Sequence, residues 1–169
     1  MRLTITHDDA TSPSPTFAFT DAYVEWLSRI EATYHSVAFC CLHRLNDRTL
    51  AARIGLRVVA GLLAKPTIFK FSGLPYSGRI GVLAEHWIVE ARDGKIGDDG
   101  TWDDLFTSLR EVSPEHQKLF VLTCMYGHDD TYVARALACD ESIARERRQS
   151  AIAHFESLSD RAARATHPA

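Results

Sequence analysis

The feature that most limits how this chain can fold is the run at 113–155, SPEHQKLFVLTCMYGHDDTYVARALACDESIARERRQSAIAHF, which carries the punctuation of three helices and two tight turns. Ser113 offers a capping hydroxyl and Pro114 stands at the first helical position, where its missing N–H costs nothing. Leu119, Phe120 and Leu122 supply an apolar face, and Gly127, able to take positive φ, is the natural stop. Asp129 or Asp130 can open a second helix with Val133, Ala134 and Leu137 inward, and the small Ala134 lets another helix cross closely. A turn at 139–142, CDES, leads into a third helix from Ile143 that carries Arg145, Arg147, Arg148 and Gln149. These residue types reach phosphates and guanine edges in a DNA major groove, and the last two helices are spaced like a helix-turn-helix. A plain three-helix bundle with a solvated basic face would carry the same pattern.

Overall charge says little about such a partner. Nineteen Lys and Arg against 22 Asp and Glu give a formal charge of -3, but the charges are unevenly spread. Over 44–79 the cations Arg44, Arg48, Arg53, Arg57, Lys65, Lys70 and Arg79 face the single anion Asp47, whereas 90–110 is mostly acidic. Cys40, Cys41, Cys124 and Cys139 follow no CxxC spacing, and neither a signal peptide nor a membrane-length apolar run is present, which together point to a reducing cytoplasm and no membrane insertion. Cys40 with His43 and Cys124 with His128 share helix faces, but neither pair brings a spaced second pair, so no metal and no cofactor is expected.

Along the chain, 1–17 lacks periodicity and carries Pro13 and Pro15, the pattern of a mobile arm. From Asp21 a long amphipathic helix is expected, with Tyr23, Trp26, Leu27, Ile30, Tyr34 and Val37 recurring at spacings of three and four and Asn46-Asp47 breaking it. Leu50, Ile54, Val58 and Leu62 mark the inner face of a second helix, from whose opposite side Arg53 and Arg57 are expected to project. The segment 65–79, KPTIFKFSGLPYSGR, interleaves Phe69, Phe71 and Tyr76 with Lys65, Lys70 and Arg79, a combination suited to stacking single-stranded bases beside their phosphates. Aromatics that simply cap the core would look the same. A further helix spans 80–91, and the glycine-rich acidic RDGKIGDDG at 92–100 precedes a short helix that Thr101 and Asp104 can open. Beyond Phe155 the apolar stripe fades, so the tail is expected to fray.

The expected fold is all-α: two small helical domains, 18–91 and 113–160, joined by an acidic linker over 92–112, with a tail at 161–169 and a helix-turn-helix in the second domain. Taken in this order, the chain resembles the extracytoplasmic-function sigma factors, small sigma-70 relatives built from regions 2 and 4. The likeness is carried most strongly by 113–155 and more weakly by 21–91, including SGRIGVLAEHWIVEA at 77–91. It implies a protein that binds core RNA polymerase, recognises minus-35 and minus-10 promoter elements and helps open the duplex. On that resemblance Ser142, Arg145, Arg148 and Gln149 face the minus-35 element, and Lys65, Phe69, Lys70, Phe71, Tyr76 and Arg79 capture melted non-template strand. The acidic linker threads toward the polymerase cleft, the helix carrying Arg53 and Arg57 meets the polymerase, and an anti-sigma factor is a partner the sequence leaves open. Departures exist: the stretch RTLAARIGLR at 48–57 replaces the family's acidic and Gln-rich run, Ile143-Ala144 replaces Thr-Val, and Arg148 stands where an inward Leu is common. Two alternatives follow, a sigma-like regulator without autonomous initiation and a helical interaction module. An enzyme is not expected, because no phosphate loop, HExxH or GxSxG occurs.

Overall fold

A computed structural model describes residues 15–66, 78–97 and 100–163, with the side chains of 15–18 and 79 excepted. Every regular element among the described residues is helical. Helix α1 (Pro15–Leu45) is followed by α2 (Arg48–Leu63), α3 (Arg79–Arg92), α4 (Trp102–Arg110), α5 (Pro114–Phe120), α6 (Asp130–Leu137) and α7 (Glu141–Ala162), and α5 runs on into a π-helical turn, Val121–Met125. No helix among the described residues is long and apolar enough to cross a membrane.

Local chemistry accounts for most of the boundaries. Asn46 takes left-handed φ of 51°, which its short polar side chain tolerates, and Asp47 then caps α2 by accepting from the Leu50 N–H at 2.9 Å. Thr101 caps α4 through the Asp104 N–H at 3.2 Å, and Ser113 caps α5 through that of His116 at 3.3 Å. Helix α1 starts at Pro15, inside the expected arm, because a proline fits a first turn as well as a loop.

The core has three contiguous parts. In the largest, Tyr23, Trp26 and Ile30 of α1 meet Leu56, Val59 and Leu63 of α2, Leu105 and Leu109 of α4, and Phe155 and Leu158 of α7. A second part joins Val37 and Cys41 to Ile54, Val58 and the inner face of α3, and a third holds α5, α6 and α7 together around Leu119, Leu122, Val133, Ala134 and Ala144. Residues 54–60 of α2 are all buried, since α1, α3 and α7 cover it from different sides.

That arrangement corrects two expectations. The halves do not hang on a flexible tether: α1, α2, α4 and α7 share one core, and Ile96 of the linker is buried against the second part. Nor do the described residues past Phe155, up to Ala163, fray. Helix α7 continues to Ala162, with Leu158 and Ala162 in the shared core and the Ser159 hydroxyl donating to the Ala60 carbonyl at 2.6 Å. A fading apolar stripe hides this, because α2 supplies the partner surface from 99 residues away.

Candidate nucleic-acid interface

Residues 113–163 build a helix, tight turn, helix unit on top of α5. Asp129, not Asp130, caps α6 by accepting from the Tyr132 N–H at 2.9 Å. At the other end Ala138 adopts φ of 52° and ψ of 47°, and the Cys139 N–H returns to the Ala134 carbonyl at 3.0 Å, so the turn closes in the left-handed geometry usual for glycine. Ala134, 5% exposed, and Ala144, fully buried, let α6 and α7 approach. Two side-chain bonds secure the pair: Thr131 donates to Glu141 at 2.8 Å, and Lys118 of α5 donates to the Ala136 carbonyl at 3.0 Å near the end of α6.

The outward side of α7 carries exposed Ser142, Arg145 and Gln149 at spacings of three and four, which sets them on one face. Arg145 is held by Asp130, its Nε 2.9 Å from Oδ2. Arg148 turns inward, four residues after buried Ala144, and its Nη2 lies 2.9 Å from Oδ1 of the same Asp130. That approach makes an ion pair but no directed hydrogen bond, and the Arg148 Nε is buried without a partner. Arg147 points away from this group, its guanidinium 3.5 Å from Glu115. Asp130 thus organises the basic face, a role that only the crossing of α6 and α7 reveals.

Arg53 and Arg57, expected from the sequence to face a polymerase, do not project together. Arg57 is 4% exposed, with its guanidinium 4.8 Å from the Trp87 ring centroid, because that side of α2 is covered by α3. Arg53 is half-buried at the edge of a cavity. Of the residues expected to contact single strand, Lys65 is exposed just after α2 and the backbone of Arg79 opens α3, while Phe69, Lys70, Phe71 and Tyr76 lie outside the described residues.

The cysteine and histidine pairs have other surroundings. Burial pushes the Cys124 thiol up to about 12 and the Cys41 thiol up to about 11, which makes both poor thiolates at neutral pH. His43 meets the Phe39 ring edge-on and His128 stacks on Tyr132 with centroids 3.7 Å apart. Among the described residues no three His, Cys, Asp or Glu side chains converge as a ligand set. The chain matches no protein-family model, no curated protein and no solved structure at a significant level.

Proposed function

We propose that this chain is a sigma-like transcription factor that binds duplex promoter DNA through α7 and docks on core RNA polymerase. The observation that carries the reading is the α6–α7 unit itself: a close crossing over alanines, a tight left-handed turn, and an exposed face of Ser142, Arg145 and Gln149 on the first turns of the second helix. This is the disposition that lets a helix enter a major groove N-terminus first. A bidentate contact from Arg145 to guanine requires its guanidinium to leave or share Asp130, so the acidic partner sets a threshold for binding. On the same reading the segment 65–79 contacts melted single strand, and the linker over 92–112 approaches the polymerase cleft.

Selection of bound duplexes from a random library, with fluorescence anisotropy on the enriched site, tests the proposal. Arg145→Ala is expected to cost about 1–3 kcal/mol at that site and relax specificity at one base position. An enriched site bound equally well by Arg145→Ala defeats the assignment of that residue, and no enrichment defeats the DNA reading altogether.

A second reading, a regulator that binds DNA or polymerase without initiating by itself, is favoured by one observation. Arg57 and the rest of 54–60 are buried under neighbouring helices, which leaves α2 little free surface for a large partner. Reconstitution with core polymerase on the selected site separates the two, since only the first yields transcript.

A further inference from the structure

Between α1, the start of α2 and the start of α4 lies an open-mouthed cavity of about 580 Å³, within the size range of small-molecule sites. Its back wall is fixed by packing. Trp102 stacks on Tyr34 with centroids 4.2 Å apart and planes 3° from parallel, and the Tyr34 ring also lies against Gly55, where a Cβ would stand 3.0 Å from it. A side chain there would press on the Tyr34 ring and push it by a few tenths of an ångström, so glycine lets the ring sit close against α2. Leu56 and Ala52 continue the apolar wall. The rim carries donors in the exposed Arg48, the hydroxyls of Thr49 and Thr101, and His35, beside the carboxylate of Asp103. Thr101 already accepts from the Asp104 N–H, so its own proton is free to be given outward. Burial first, and the charge of Asp103 second, raise the Tyr34 pKa and keep its phenol a donor.

We infer that this cavity binds a small organic anion, a carboxylate or phosphate monoester head held by Arg48 and the threonine hydroxyls with a compact apolar body against Leu56, Ala52 and the Tyr34–Trp102 edge. A purely apolar ligand would leave the rim donors unmatched, and a simple inorganic anion would leave the wall wet. The ligand touches α1, α2 and α4 together, so its binding stabilises the packing of α4 on α1 and α2. This inference is independent of the DNA reading, since no residue of the α6–α7 face lines the cavity.

The test is an NMR titration of the full chain, following the amides of Thr49 and Ala52 and the Trp102 indole. Phenylacetate and phenyl phosphate are the two probes, and acetate, inorganic phosphate and benzyl alcohol are the comparisons that carry only the head or only the body. Saturable shifts at these three positions with at least one of the two probes are expected, and their order shows whether the head is carboxylate or phosphate. The comparisons should bind about tenfold more weakly or worse. Arg48→Ala should weaken the better probe about tenfold, as loss of a charge-assisted contact does. Ala52→Leu, which fills the cavity on a half-exposed helix position, should abolish the shifts while leaving the rest of the spectrum in place. Absence of saturable shifts, equal binding of inorganic phosphate, or unchanged binding to Ala52→Leu overturns the inference.

Discussion

Asp130 shows how one carboxylate can set the state of a whole basic face. It is 19% exposed and holds both Arg145 and Arg148, yet the Arg148 Nε has no partner in its buried position. A part-buried guanidinium whose Nε is left without a partner is worth less than it costs, so Arg148→Leu is expected to be neutral or stabilising by up to about 1 kcal/mol in urea denaturation, with duplex affinity retained through Arg145. Loss of affinity in that variant would instead place Arg148 against DNA. His154 offers a second test at this scale. Burial, then His116 with its ring centroid 5.3 Å away, then Arg161, lower its pKa below the ordinary histidine value. The unfolded chain therefore binds that proton more readily than the folded one. Stability is full above the ordinary histidine pKa and declines as pH falls through it. Urea midpoints at pH 7.5 and 5.5 should draw closer together in His154→Gln than in the parent, and an unchanged gap would show that other histidines carry the dependence.

At the scale of elements, the turn between α6 and α7 carries identifiable strain. Ala138 is a non-glycine residue in left-handed geometry, where its Cβ crowds the backbone, and the hydrogen bond to Ala134 keeps it there. Ala138→Gly should relieve about 1 kcal/mol and raise the thermal midpoint without altering the helices. A drop in stability would mean that the Ala138 methyl makes a contact worth more than the strain. The π-helical turn at Val121–Met125 follows from a different conflict. The run after α5 must bury Phe120, Val121 and Cys124 in the largest part of the core and Leu119 and Leu122 in the part shared with α6. One α-helical stripe cannot face both, and widening the helix by one residue rotates the second group into place before Gly127, at φ of 67°, ends the turn.

At the scale of the molecule, an aromatic knot ties α1, α5 and α7 together. Trp26 lies 4.4 Å from Phe120, and Phe120 lies 4.4 Å from Phe155, ring centroid to centroid, with Tyr23 alongside and its hydroxyl donating to the Leu109 carbonyl at 2.6 Å. Trp26→Ala should cost about 3–5 kcal/mol, because the remaining rings cannot close the space. Since both halves use that core, their unfolding should coincide when helix signal and Trp fluorescence are compared. Two separated transitions in the parent protein would restore the picture of independent domains joined by a tether.

Local sequence settled the helical class, the caps at Thr101 and Ser113, the stop at Gly127 and the inward sets of α1 and α2, because each depends on neighbours within a turn or two. It marked Asn46-Asp47 only as a break and left the cap of α6 open between Asp129 and Asp130. It also marked the Arg-rich start of α7 and grouped Ser142, Arg145, Arg148 and Gln149, from which the structure removes Arg148 by turning it toward Asp130. What it could not carry was the use made of the remaining surfaces. Arg57 reads as an outward cation until α3 covers it, Ser159 reads as a fraying tail until the Ala60 carbonyl accepts its proton, and Asp130 reads as a spare cap until α7 crosses α6. Tyr34 reads as one more inward aromatic of α1 until Trp102 stacks on it beside Gly55. In each case the decisive partner is distant in the chain, and periodicity records only that a face is apolar or polar. Which surface covers that face is fixed by packing the helices together.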